Sequence, residues 1–277
     1  MSSLLVVSPS LNQGQFIEQM ICSVLSELGP DDRFVIVDAG STDATLEVLT
    51  RYEHRITHVE VAPLSQAAAI RWGFDNFASD LCCYLNTDDV LLPGAVASAK
   101  DRFADAPAVG AIYSHRLFID DNADVRRIWR LPRHSNTLMK RWDYIPQETC
   151  FWRREAMDRV GGIDASFDFA MDYDFFCRLM NDVRFERLPG FLAAFREHQT
   201  SKTQTLNDSV GADEVALVRR AHDVQNTTTH WGWRAVGRAL RHYVEWGSAM
   251  ALSKPAIARL QAQVNQATRA TQGTIAP

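Results

Sequence analysis

The sequence contains no run of about 18 consecutive apolar residues, the length a membrane-crossing helix needs, so no such helix is expected. It has no basic excess: 29 Lys and Arg stand against 34 Asp and Glu, a formal net charge of −5. A nucleic-acid binder would carry the opposite balance. It has no C-x-x-C pair, and its five cysteines (Cys22, Cys82, Cys83, Cys150 and Cys177) are spaced for neither a zinc nor a redox site. They read as buried, reduced thiols, which suit a reducing cytoplasm. The opening MSSLLVVSPS lacks a basic n-region and a sufficient apolar core, so no signal peptide is expected. No internal repeat is found. What is present is 277 residues, 46% hydrophobic and 23% charged, enough for one large domain or a domain with an appendage.

The first 115 residues alternate strand and helix patterns. Apolar runs at Leu4–Ser8, Arg33–Asp38, Ile56–Val61, Leu81–Asn86 and Val109–Ser114 read as strands. Helical spacing recurs between them, as in Ile17, Met20, Ile21 and Val24, and again over 45–52, 66–77 and 93–103. This order predicts an α/β fold: a mostly parallel central sheet with helices on both faces. Such sheets bind ligands beyond the carboxyl ends of their strands. Asp38 ends the second strand and Asp88-Asp89 follow the fourth, so both fall on one rim. Past residue 115 the pattern changes to a hairpin over 117–131, a helix beginning near Ala170, and two short strands at Arg184–Leu188 and Phe191–Arg196. From about Asn207 the chain reads as helical, after a polar, linker-like stretch at His198–Ser209.

Three segments have chemical potential. In YLNTDDVLLPG, two adjacent carboxylates at a strand end suit Mg²⁺ or Mn²⁺, although Asp89 would equally serve a helix N-terminus. In FVIVDAGSTDAT, Asp38 would accept hydrogen bonds from a nucleobase or ribose, or simply hold the turn; Asn12 lies in the polar loop SPSLNQGQF. In AMDYDFFCRL, Asp172 and Asp174 begin a helix whose dipole favours ionised carboxylates, as a general base requires. At i, i+2 only one of them faces a cleft, and the apolar face of Met171, Phe175 and Leu179 leaves that place to Asp172; the alternative reading, which this segment alone favours, is that both merely charge the first turn. His198, in FREHQTSKT, reads as a metal ligand or anion contact, with Lys202 nearby, or as an ordinary satisfied histidine. Farther on, Arg234, Arg238 and Arg241 form a stripe flanked by Trp231, Trp233 and Trp246. It reads as a membrane-surface helix, a solvated face on a packed helix, or a dimer contact.

Taken in order, VVSPSLNQGQFIEQMICSVL, VIVDAGSTDATLEVL, SQAAAIRWGF, CYLNTDDVLLPGAV, IPQETCFWRREAMDRVGGID, AMDYDFFCRL and FREHQTSKT resemble the family 2 glycosyltransferases, which have the GT-A fold. The resemblance implies an inverting, metal-dependent transfer of a sugar from a nucleoside-diphosphate donor, a UDP-sugar first among them, to a saccharide or lipid-linked saccharide acceptor in surface-polysaccharide assembly. It implies that Pro9, Asn12, Asp38, Gln66, Arg71, Asn86 and Asp88 meet the nucleotide-sugar. Asp88, Asp89 and His198 would hold Mn²⁺ or Mg²⁺, Gln147 and Trp152 would lie by the donor sugar or acceptor, and Asp172 would be the base. It also implies a glycosyltransferase domain at 1–207, split at 115/116 into nucleotide and acceptor halves, with a helical extension at 208–277. The location expected is cytoplasmic, or peripheral at the inner membrane face. The sequence departs from the family pattern at Asn86, where the first aspartate of the metal motif would stand, at Ser65, Ala68 and Arg71, and at Met171 before the base. Rival readings are a non-catalytic nucleotide-sugar-binding or scaffold protein, and a sugar nucleotidyltransferase. The latter would need a basic glycine-rich loop that PSLNQGQF does not supply.

Overall fold

The apolar runs of the first half fold into strands β1 (Leu4–Ser10), β2 (Arg33–Asp38), β3 (Thr57–Glu60) and β4 (Leu81–Tyr84). Between them lie helices α1 (Ile17–Leu25), α2 (Thr45–Tyr52) and α3 (Gln66–Asn76). The structure is a computed structural model and describes residues 2–61, 64–140, 142–199, 210–222, 244 and 253–269. After β4 come the two-residue β5 (Val90–Leu91), α4 (Ala95–Asp105), β6 (Val109–Ile119), β7 (Val125–Trp129) and α5 (Asn136–Met139). A 3₁₀ turn at Gln147–Thr149 leads into β8 (Phe151–Arg153), α6 (Arg154–Arg159), α7 (Met171–Leu179) and β9 (Arg184–Arg196). Two further helices are α8 (Val210–Ala221) and α9 (Lys254–Thr268).

All strands join one sheet in the order β3-β2-β1-β4-β8-β6-β9-β5, with β7 paired to β6. The sheet is mixed rather than mostly parallel. The pairs β1–β2, β1–β4, β2–β3 and β6–β9 are parallel. The pairs β4–β8, β5–β9, β6–β7 and β6–β8 are antiparallel. The three-residue β8 causes the reversal, because it enters between β4 and β6 and opposes both. The two strands expected at 184–188 and 191–196 are one strand with register shifts, bent at Pro189-Gly190, where Gly190 takes φ +82°.

Both faces of the sheet are covered. Along β1, Leu5 and Val7 join one core cluster while Leu4 and Val6 join the other, as the two-residue alternation of a strand requires. Helix α3 crosses β1 closely enough that a Cβ on Gly73 would come within 2.5 Å of Val7. That close packing sets the first turn of α3, with Gln66, at the rim where β1 and β4 end. Helix α9 rests on α1, β5 and β7, and Gln261 hydrogen-bonds Val125 N and Ala123 O. All five cysteines are buried. Among the described residues no helix is long and apolar enough to cross a membrane. Lys202, the boundary expected at 207/208, and the stripe of Arg234, Arg238 and Arg241 with Trp231, Trp233 and Trp246 lie outside the described residues.

Candidate active site

Two cavities open side by side at the carboxyl ends of β1 and β4. The first, about 350 Å³, is walled by Pro9, Ser10, Ala39, Gln66, Asn86, Asp88 and His198 among others. Asp88 and His198 come from segments 110 residues apart, and their side chains meet at 2.9 Å between Oδ2 and Nε2. Phe16 lies against the histidine ring at 4.9 Å. Among the described residues no group of three or more His, Cys, Asp or Glu is placed to hold a metal ion. A carboxylate beside an imidazole is nevertheless a donor set that suits Mn²⁺, and such an ion takes its remaining ligands from phosphate oxygens and water. The Asp88–His198 pair fits that use.

Asp89 does not share it. Its side chain is buried behind the cavity wall, with Oδ1 accepting the backbone N–H of Arg196 at 3.0 Å and Oδ2 left without a hydrogen-bond partner. Burial pushes its pKa well above the usual carboxylate range, and the charge of Asp88 adds to the shift. A protein cation, the guanidinium of Arg196, lies beside the aspartate pair and meets its backbone rather than its carboxylates. Arg196 is completely buried, and its guanidinium donates to Asp88 O (2.8 Å), Asp120 O (2.8 Å), Asp121 O (3.2 Å) and Gln19 Oε1 (2.7 Å). It also lies over Phe16 at 4.8 Å. Nothing in the sequence around Arg196 signals this role, because a charge at a strand end ordinarily faces water.

Asn86 belongs to both cavities. Its Oδ1 accepts from Gln66 Nε2 at 2.7 Å, and its Nδ2 donates to Gln147 Oε1 at 3.3 Å. Gln147 in turn donates to the carbonyl of Tyr84. An aspartate at 86 would accept from Gln66 but could not donate to Gln147. The amide at this position is thus the middle of a three-side-chain bridge across the mouth of the two cavities.

The second cavity, about 330 Å³, is lined by aromatic side chains including Trp129, Trp142, Tyr144 and Phe195, and by Asp143, Glu148 and Asp172. Glu148 is buried and held by both arms of Arg116, at 2.9 and 2.8 Å. Asp172 starts α7, its Oδ1 accepting the N–H of Tyr173 at 2.8 Å. Burial raises its pKa to about 6, against the opposing pull of that hydrogen bond and of Arg116. Asp143 is raised well above the usual range by burial and by the charge of Asp172. Asp174 points elsewhere, onto Arg178 (2.9 and 2.7 Å) and His222 (3.5 Å). Helix α7 has no capping side chain of its own. Glu214 of α8 holds the turn that leads into it, accepting the N–H groups of Asp168 (2.9 Å), Phe169 (2.8 Å) and the N-cap residue Ala170 (2.9 Å). Val215 and Arg219 of the same helix reach the cavity wall.

The structure brings together Pro9, Gln66, Asn86, Asp88 and His198 in one cavity, and Gln147 with Asp172 in its neighbour. Other expected site residues are corrected. Asp38 is fully buried and accepts from Gly40 N, Ser41 N and Ser41 Oγ, so its carboxylate holds the turn rather than a nucleotide. Asn12 is turned to Thr42 N at 2.8 Å, tying two loops together, and does not line the cavity. Arg71 points away from the rim to Asp75 and the carbonyl of Ile163. Trp152 is fully buried in β8, with Nε1 on Met157 Sδ, and is a core residue. Asp89, as shown above, serves Arg196. Arg116, Asp143, Glu148, Arg196 and Glu214 had no local signal, because each acts through a partner distant in sequence.

Residues 5–161 match the family model described as glycosyl transferase family 2. An uncharacterized glycosyltransferase of Nostoc sp. is 27% identical over 172 residues, covering 57% of this chain and 53% of that protein. The O-antigen biosynthesis protein RfbC of Myxococcus xanthus is 27% identical over 169 residues, covering 59% of this chain and 13% of that protein. The chondroitin synthase of Escherichia coli is 28% identical over 177 residues, covering 62% of this chain and 25% of that protein. The chain thus spans about half or less of these relatives. Among solved structures, S. aureus TarS 1-349 in complex with UDP-GlcNAc superposes with a TM-score of 0.66 at 13% identity, covering 96% of this chain and 82% of that one. The mannosyltransferase PcManGT from Pyrobaculum calidifontis, in complex with GDP-Man and Mn²⁺, gives 0.55 at 16% identity, covering 96% and 86%. At these identities the likeness is one of fold, and the fold is GT-A.

Proposed function

The chain belongs to glycosyl transferase family 2, and from that premise we propose that it moves a sugar from a nucleoside-diphosphate donor to an acceptor hydroxyl with inversion. The observation that carries the reading is the junction of the two cavities: Asp88 and His198 line one, Asp172 lines the other, and Gln66, Asn86 and Gln147 bridge them. In this reading the donor lies in the first cavity and the acceptor in the second. The complexes of fold relatives with UDP-GlcNAc and with GDP-Man and Mn²⁺ support a nucleotide-sugar donor. The Asp88–His198 pair would hold Mn²⁺ or Mg²⁺, which when bound offsets the negative charge of the leaving diphosphate. Ser65 and Gln66 bring the first turn of α3, the positive end of its dipole, to the same cavity.

Asp172 takes the proton of the attacking hydroxyl. With its pKa raised to about 6 it is ionised at neutral pH yet basic enough to accept a proton, which an ordinary surface aspartate is less fitted to do. The bidentate Arg116–Glu148 pair keeps a guanidinium near it and stiffens the wall. Aromatic side chains around the base offer flat apolar surfaces to a saccharide. A role in surface-polysaccharide assembly draws support from the names of two relatives, an O-antigen biosynthesis protein and a chondroitin synthase. The five buried cysteines agree with a reducing cytoplasm.

The test is Asp172→Asn with a donor screen in Mn²⁺. Binding of the donor should persist while transfer falls by about 10²–10⁴, the usual contribution of a general base. Transfer at the wild-type rate would overturn the assignment.

A further inference from the structure

Strand β6 presents Arg116 to the acceptor-side cavity, and the residue before it, His115, faces the other way. On that side a third cavity, about 670 Å³, lies between α4, the segment leading into α5, and the first half of β9. It shares no lining residue with the two cavities described above. Four guanidinium groups line it, from Arg102, Arg133, Arg184 and Arg187, against the single carboxylate of Glu186. That carboxylate is already engaged, by Arg102 at 2.8 Å and Arg184 at 3.6 Å. Among the described residues no carboxylate lies within ion-pair distance of Arg133 or Arg187.

Arg187 makes the imbalance sharpest. It is half-buried, and its Nη1 lies 2.7 Å from Nε2 of His115. That ring brings no counter-charge: burial and the charges of Arg187 and Arg130 lower its pKa to about 4, so it is neutral. The Nε of Arg187 is buried with no acceptor, and so is the Nε of Arg102. Desolvated cations with unused donors are unfavourable unless an anion completes them. Guanidinium forks converging on a cavity of this size match the oxygens of a phosphate, which accept paired N–H groups.

We propose that this cavity is a second anion site that binds a phosphate-bearing group, distinct from the donor cavity. Its wall touches the active-site side. His134 lines it, stacks on Phe185 at 4.8 Å, and meets the hydroxyl of Tyr144 at 3.2 Å, while Tyr144 lines the acceptor-side cavity. The phosphate arrives either on a soluble molecule or on a lipid headgroup.

The experiment titrates the full chain with inorganic pyrophosphate in EDTA, by calorimetry. Arg187→Gln and Arg133→Gln should each weaken binding about tenfold, the loss of one charge-assisted contact. Arg126→Gln removes the same charge from an exposed position paired with Asp120, and should leave binding unchanged. Arg133 is exposed, so its variant keeps the test valid should Arg187→Gln fold poorly. A second arm measures co-sedimentation with phosphatidylcholine vesicles with and without phosphatidic acid. Vesicle binding that needs phosphatidic acid and is lost in Arg133→Gln assigns the headgroup, and pyrophosphate binding alone assigns a soluble ligand. The proposal is overturned if the wild type binds neither probe, if the two variants match the wild type, or if Arg126→Gln weakens binding equally.

Discussion

Replacing Arg196 with methionine should lower stability more than almost any other single change beside the first cavity. The side chain is completely buried and donates to three backbone carbonyls, of Asp88, Asp120 and Asp121, and to Gln19. Hydrogen bonds to a charged group are worth about 1.5–3 kcal/mol each, but their sum is too large an estimate, because the 120–121 turn can regain water. The governing quantity is the loss of a buried charged donor from three carbonyls and Gln19, which leaves part of them unsatisfied and costs about 3–5 kcal/mol. In a chain of this size each kcal/mol moves the melting midpoint by about 2–4 °C, so the expected fall is roughly 6–20 °C. Thermal unfolding followed by circular dichroism measures it. A midpoint within about 2 °C of wild type would refute the reasoning.

Two further outcomes follow from the second cavity and the amide bridge. Because the Asp172 carboxyl titrates near 6, transfer should rise with pH and reach half its plateau at about pH 6, read from a rate–pH profile; a midpoint near 4 would contradict the burial argument. A carboxyl whose folded pKa is raised contributes its stability below its unfolded value near 4 and loses it as pH climbs through 6, so Asp172→Asn should melt at or above wild type at pH 8. Asn86→Asp sets a carboxylate against Gln147 Oε1, which has no donor to offer it while its amide nitrogen serves Tyr84 O; the expected cost is about 1–3 kcal/mol, and an unchanged denaturation midpoint would remove the bridge from consideration.

The first four strands were legible because each is an uninterrupted apolar run between turn residues, and their order fixed the ligand rim. Strand β8 was not, since three residues of FWR carry no period. The run at 184–196 read as two strands because Pro189-Gly190 ordinarily ends one; here the chain bends and continues the same ladder. In the site, the legible residues were those whose local context implied exposure at a strand or helix end, such as Asp88 and Asp172. Asp38 and Asn12 shared that context, yet turn geometry absorbed their oxygens. The resemblance puts Trp152 by the donor sugar or acceptor, but an aromatic in a central strand packs inward. Arg196, Asp143 and the Gln66–Asn86–Gln147 bridge depend on partners 20 to 177 residues away, which no window of sequence reveals.

The hold of Glu214 on the turn before α7 has a consequence for how this protein can be divided. Three amide groups in that turn, up to the N-cap of the helix bearing Asp172, find their acceptor in Glu214, on a segment beyond the 5–161 stretch that identifies the family. A fragment stopped at residue 207 would keep every group of the first cavity named above and still lose that acceptor. Helix α8 thus steadies the approach to the proposed base, and sequence changes far downstream have a mechanical route to it.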